Sequence, residues 1–262
     1  FAQPGVGANI IQDLTASQYS FRSILAGVGI GVNVDNGDVV ISSVPSGAAI
    51  KTVVVSSIAD FPAAVGGVIS LADGIDYFLQ ADISTADRFL VGASTTIRGP
   101  ASQIVELLYT GTDTMLTGVD PNFRIDRVTL GAPNGQLVDM GGTGVGIFQM
   151  IETTISSCDT VGTIGDLFLC RLKGVAYQNI ITDGITFTGT NDLLVLDTAV
   201  VFLNGGTAFD FGTSVFNNIT MTNQFIEGTT GGTKFIDGAA SSANVAVGGL
   251  AVVLNNRVDA AI

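Results

Sequence analysis

Three short phrases recur late in the chain: Gly184-Ile-Thr-Phe187, Gly206-Thr-Ala-Phe209 and Gly232-Thr-Lys-Phe235. Each soon meets another glycine, at Gly189, Gly212 and Gly238, and Gly165-Asp-Leu-Phe168 is a weaker fourth member. The starts at Gly165, Gly184, Gly206 and Gly232 give a loose, lengthening period. Unequal repeats of this size build a solenoid, in which each one is a strand, a corner and another strand one coil higher. Phe209 is therefore expected in a stacked core.

The apolar content fits that reading and opposes a membrane span. Hydrophobic residues make up 47% of the chain and mean hydropathy is +0.52. The longest apolar stretches, Thr52–Ala59 and Ala243–Leu254, fall well short of the ~20 residues that cross a bilayer. The rest is spread over short segments, as a core threaded through every coil requires. Thirty-four glycines against six prolines supply corners. No Gly-X-Y period is present, which excludes collagen, and the abundance of Val, Ile, Leu and Phe opposes disorder. No leucine-rich horseshoe motif is found.

Charge and residue usage narrow the chemistry. A net charge of −13 with ten scattered Lys and Arg opposes nucleic-acid binding, because phosphate would be repelled. It permits weak Ca²⁺ binding without predicting it. The absence of histidine removes Ser-His and Cys-His nucleophile pairs, imidazole zinc sites and the commonest general base. Two cysteines cannot make a Cys₄ site in one chain. Cys158 and Cys170 are read as buried thiols, the alternative being a disulfide between neighbouring coils.

Along the chain, residues 1–23 show no period. Ile30, Val32 and Val34 alternate with other residues, and Val39 and Ile41 resume the alternation after Asn36-Gly37, the strongest short hairpin signal. A lone hairpin is marginal in water, so Ile24–Ser42 is expected to pack on copies of itself or on another protein. Ser42–Gly47 reads as a linker. In Ser57–Gly67, Ile58, Phe61 and Val65 share a helical face, Ser57 and Asp60 form a capping pair, and Pro62 keeps the helix short. Such a helix is placed to cover the bottom coil. Strands follow near Val105–Tyr109, Phe123–Leu130, Ile147–Ile151, Ile164–Leu169, Val175–Ile181, Leu193–Leu196, Val200–Leu203, Val215–Met221 and Val245–Leu254. Seven to nine coils result. The expected organisation is an assembly segment over 1–47 and a solenoid over 48–262. The chain opens on Phe1 without an initiator Met, which reads as processing or as a piece of something longer. Val258–Ile262 has no polar cap, so the polypeptide or a partner is expected to continue the stack.

The run Gly67-Val-Ile-Ser-Leu71 through Gly74, Tyr77 and Leu79, followed by Ile83, Leu90 and Thr96-Ile-Arg-Gly99, resembles the first coils of right-handed parallel β-helices. These are the pectin-lyase-like folds of bacteriophage tailspikes and tail fibres. The Gly-x-x-Phe coils resemble their later turns. Leu25-Ala-Gly-Val-Gly-Ile30 with Asn36-Gly37 and Val39–Ser42 is similar to a virion-proximal segment of phage fibres. The resemblance covers roughly residues 50–255. It implies an all-β protein: a right-handed parallel β-helix preceded by a small N-terminal hairpin segment and a short capping helix. It also implies a trimeric virion protein of the extracellular particle, touching other virion proteins and host-surface glycans. The family includes glycan hydrolases and lyases as well as non-catalytic fibres, and a secreted adhesin is a further use of the fold.

The residues favour the non-catalytic member. Glycan hydrolysis needs two carboxylates about 5–9 Å apart. Asp183, Asp192, Asp197 and Asp210 fall on adjacent coils, but aspartates at corners ordinarily cap turn amides. Arg171 and Lys173 are the closest basic pair, and no acid triplet surrounds them; a solvated strand face accounts for them. Gly27-Val-Gly29-Ile-Gly31 and Gly141-Gly-Thr-Gly144 lack the helix of a phosphate loop. The phrase phenylalanines are read as core stacks in preference to sugar platforms. No catalytic, cofactor-binding or metal-ligating residue is assigned, and no cofactor is expected.

Overall fold

The computed structural model describes residues 51–203, 206–212 and 214–222, the side chains at 179–182 and 198–203 excepted. Beyond these it describes the backbone of the strands Gly7–Ala8, Ile24–Leu25, Ile30–Asp35, Asp38–Ser43, Phe225–Gly228, Lys234–Gly238, Ser241–Gly248 and Ala251–Leu254. The chain divides into two units, Phe1–Ile50 and Lys51–Ile262.

In the first unit, Ile30–Asp35 and Asp38–Ser43 form the antiparallel hairpin read from the sequence, with Val34 opposite Val39 and Val32 opposite Ile41. Gly7–Ala8 pairs antiparallel with Ile24–Leu25, a pairing that no sequence pattern marks. The Asn36-Gly37 turn, the linker and the burial of the hairpin side chains lie outside the described residues.

The second unit is a parallel β-helix. The chain passes through three faces in turn and rises one strand per circuit. The first face stacks Lys51–Val55, Ile75–Leu79, Thr95–Arg98, Asn122–Asp126, Gly146–Ile151, the stretches 167–173 and 190–197, Val215–Thr222 and Ser241–Gly248. The second face runs from Ile83–Thr85 and Glu106–Tyr109 up to Ala251–Leu254. The third runs from Val68–Ser70 and Arg88–Leu90 to Lys234–Gly238. Between Ile75 and Gly238 the circuit closes about seven times, within the range expected from the repeat length. Asp76 pairs with Thr96, whereas Thr95 pairs with Phe123, so the second of these coils is clearly longer than the first.

Alternation within each strand decides what enters the core. On the first face an inward column runs Tyr77, Ile97, Ile125, Met150, Leu172, Leu196 and Met221, each paired with the next and nearly solvent-free. Beside it, Phe123 and Phe148 stack with centroids 6.2 Å apart. The third face contributes Phe89, Leu116, Val138, Ile185 and Phe209, with Gly162 between Val138 and Ile185. Gly162 has φ +141° and lies so close to the Val138 carbonyl that a Cβ would overlap it. Each fully buried Leu or Phe contributes about 1.5–3 kcal/mol, and every coil adds several.

Two of the glycine-phenylalanine phrases, through Phe187 and Phe209, enter the core, but out of register. Ile185 pairs with Phe209, and Phe209 pairs with Ile236, so phrase phenylalanines do not sit above one another. Phe187 instead packs against Phe211 and Phe216, at 5.3 and 5.4 Å between centroids. The fourth phrase fails: Phe168 is 49% exposed. The strand Thr114–Val119 is hidden in the sequence, because its Thr and Gly residues mask the apolar alternation. Phe123–Leu130 is two strands parted by a corner at Arg127, φ +54°.

The bottom cap is smaller than the helical pattern suggests. One 3₁₀ turn, Ile58–Asp60, stands where a second-face strand would begin the first coil. The Asp60 carboxylate accepts from the Ser56 and Ser57 amides, both at 2.9 Å, and from Ser57 Oγ. Ile58 and Val65 remain exposed, and of these three apolar positions Phe61 alone is buried, with its ring 5.2 Å from both Tyr77 and Phe89. Pro62 stops the helix before a further apolar position can turn inward.

Candidate functional site

The aspartates picked out from the sequence do not converge on a groove. Asp183 accepts from the Thr207 amide at 3.0 Å, and Asp210 from the Gly212 amide at 2.8 Å. Asp192 accepts from Asn217 Nδ2 at 2.5 Å, and Asp197 from Thr222 Oγ1 at 2.8 Å. Asp192 and Asp197 lie on the first face, while Asp210 pairs with Thr186 on the third. Each carboxylate serves a turn or ties one coil to the next.

A rule recurs at the corners. Asp82, Asp120, Asp166 and Asp183 each accept from the backbone amide one coil later, at Glu106, Thr143, Thr190 and Thr207, over 2.6–3.0 Å. Asp120 and Asp166 sit at positive φ, 46° and 52°. Their carboxylates fold over Gly142 and Gly189, where a Cβ would overlap the carboxylate oxygens. The Gly141–Gly144 loop is thus a cradle filled from within. The Thr143 amide and hydroxyl, which would face an anion, face Asp120. These bonds, the Thr143 amide foremost, hold the Asp120 carboxyl below its ordinary value. Asn191, nearly solvent-free, does related work without charge. It accepts from the Leu167 amide one coil below and donates to the Thr188 carbonyl.

The thiols are free and buried. Burial pushes Cys158 up to about 12, with Asp159 adding to the effect, and raises Cys170 further. Neither forms a nucleophilic thiolate at neutral pH.

Charge concentrates on the outer side of the first face. Arg98 Nε lies 2.7 Å from Asp76 and the guanidinium covers the Phe78 ring at 4.4 Å. Asp126, largely buried, is held by Arg124 at 2.7 Å and by Arg127 at 3.1 Å. Arg171 and Lys173 point outward on the same face two coils higher, paired with Val195 and Asp197. Lys173 is exposed, as a strand-face residue should be, whereas Arg171 Nε is shielded from solvent and has no acceptor among the described residues.

The longest coil builds a cleft at its corner. Its extra residues, 99–105, leave the corner where Gly99 packs so tightly against the Arg127 carbonyl that no side chain fits. The resulting cleft, about 340 Å³, is lined by Ser102, Gln103, Ile104, Arg127, Thr129, Glu152 and Thr154, with apolar backing from Pro100, Ala101 and Val128. Arg127 and Glu152 both occupy the left-handed region, φ +54° and +48°, and Gly174 continues that column at +62°. Non-glycine residues there cost roughly 1–2 kcal/mol each, so the corner turns two charged side chains outward against backbone preference. The Arg127 fork is committed to Asp126, while the Glu152 carboxylate is exposed and makes no hydrogen bond or ion pair among the described residues. Asp126 is enclosed by arginines, so the cleft offers one free carboxylate rather than an acid–base pair. Hydroxyls, an amide and a carboxylate over aliphatic surface suit hydrogen bonding to a polyhydroxylated ring. Sequence reasoning missed Arg127 and Glu152; the available signal was the long insertion between Gly99 and Val105.

Compared with protein-family models, curated proteins and solved structures, the chain matches none.

Proposed function

We propose that this chain is a non-catalytic structural protein of a bacteriophage particle, a fibre- or spike-like component. It assembles as a homo-oligomer, a trimer in the fibre reading, joins other virion proteins and meets host-surface glycans through the corner cleft. It works on the extracellular particle, with no nucleic-acid partner and no membrane insertion. The observation that carries the non-catalytic reading is the use made of carboxylates: Asp183, Asp192, Asp197 and Asp210 are all engaged in turns or in ties between coils. A parallel β-helix is compatible with a tailspike or an adhesin, and the phage-fibre wording of 24–42 and 67–99 favours the particle. No helix among the described residues is long and apolar enough to cross a membrane.

One observation favours a polysaccharide-degrading tailspike: Glu152, a carboxylate without a partner among the described residues, stands in a cleft on a backbone conformation that costs energy. The test is incubation of the full chain with capsular and cell-wall glycans, and mass spectrometry of purified particles. The expected result is the chain in the particle and no new reducing ends or unsaturated sugars. Glycan cleavage abolished by Glu152→Gln would replace the structural reading with the enzymatic one.

A further inference from the structure

The outer columns of the first face change character partway up the solenoid. Below, they carry the paired ions Asp76, Arg98, Arg124 and Asp126. Above, from the strand Gly146–Ile151 through 190–197, they carry Ile147, Leu169 and Leu193 in one column and Val195 next to Arg171 in another. None of these is inward; all are partly accessible. A register shift between Gly146 and Ile147 leaves Phe168 without a place in the ladder and expels it beside this patch, and Val145, at 70% exposure, lies on the same rim. The other phenylalanines with described side chains are buried, apart from Phe78 beneath Arg98. Within the apolar surround, Arg171 Nε is closed to solvent with no acceptor among the described residues.

Three properties identify the occupant. First, the patch is a ladder with rungs about 4.8 Å apart, and the surface whose own ridges repeat at that spacing is another stacked sheet, packed about 10 Å away. Second, it carries both signs of charge, Arg171 and Lys173 beside Asp192 and Asp197. A copy turned against it therefore sets cations against carboxylates, whereas like patches on a chain of net charge −13 would otherwise repel. Third, the patch lies midway along the whole first face. Nine rungs at about 4.8 Å and about six residues at ~3.3 Å give that face roughly 800 Å², the area each partner of a stable complex buries. An apolar centre with charged rungs around it is the ordinary anatomy of such a contact. We infer that the outer first face is a contact between copies of this chain, centred between Val145 and Asp197, with Phe168 and Leu193 as apolar anchors and the cations Arg171 and Lys173 set against carboxylates of the second copy. The inference rests on the homo-oligomer in the proposed function but not on its threefold symmetry, because a face packed on its own copy makes a twofold contact.

The experiment is light scattering on the full chain at micromolar concentration, with circular dichroism to verify the fold. The wild type is expected at a multiple of 26.8 kDa. Phe168→Asp and Leu193→Asp are expected at the single-chain mass with an unchanged β spectrum, and Thr186→Asp on the third face at the wild-type mass. Should Leu193→Asp unfold, the milder Phe168→Ser carries the test. A bismaleimide should link copies of Phe168→Cys, because both native thiols are buried. A wild-type chain at 26.8 kDa overturns both this inference and the oligomer on which it rests. An oligomer that survives Phe168→Asp and Leu193→Asp, or that cannot be linked through Phe168→Cys, overturns this surface alone.

Discussion

The first and third faces share one backbone spacing and one core, yet their outer sides have little in common. The third face presents a column of Thr117, Asp139, Thr163, Thr186 and Asp210, each paired with the next. Threonine suits an exposed strand because its branched Cβ fits the pleat while its hydroxyl meets water. Interspersed aspartate keeps the column hydrated. At the same height the first face shows Ile147, Leu169, Leu193 and Val195 around Arg171. Core packing cannot account for this, since the inward columns of both faces are filled with buried apolar side chains. The difference teaches that the inside of a solenoid is dictated by stacking, while the outside is free to differ from face to face.

The largest effect expected is one that ignores the difference. Leu172→Asp on the first face and Phe209→Asp on the third both place an unpaired charge in a dry column. Each should destabilise by about 4 kcal/mol or more, read as collapse of the thermal transition followed by circular dichroism. If one variant melts like the wild type, the two faces do not share a core in the way described.

A middle-sized effect separates the faces at their edges. Asn191→Ala, where the third face turns into the first, removes the acceptor for the Leu167 amide and the donor to the Thr188 carbonyl. It should cost about 1–3 kcal/mol, because a buried amide is left unsatisfied. Thr186→Ala on the outer third face should stay within about 0.5 kcal/mol. Equal costs in denaturant titrations would contradict the assignment of Asn191 as a tie between coils.

The smallest effect is in acid. Asp120 and Asp60 have carboxyls held below their ordinary value, by the Thr143 amide and by the Ser56 and Ser57 amides respectively. A folded value below the unfolded one means that their stabilisation is complete above roughly pH 4 and is lost as pH falls through the folded value. The melting temperature should therefore drop on acidification below about pH 4, and Asp120→Asn should flatten that drop slightly. An acid slope unchanged in Asp120→Asn would remove this corner from the account.

Much of the architecture was legible because it is local. Alternation such as Phe123-Arg-Ile125 or Phe148-Gln-Met150 states which side chains turn inward, and glycines with a loose period state that the chain coils. The hairpin followed from Asn36-Gly37 and its flanking alternation, and the cap from Ser57 and Asp60, although of the apolar positions on that helical face only Phe61 is buried. The cleft was not legible. Arg127 and Glu152 lie one coil apart in the chain and come together only because two coils of unequal length stack with their corners aligned.

By itself, then, the sequence determined the solenoid, the approximate coil length and the inward set, since these depend on near neighbours along the chain. The tertiary structure decided the register. Phe209 lies over Ile185 rather than over another phrase phenylalanine, Phe168 is expelled by a bulge, and Asp120 and Asp166 close over glycines one coil later. Each is set by pairing between consecutive coils, and coils of unequal length offer several ways to stack. Packing and hydrogen bonds between coils select one of them, and no local pattern carries that information.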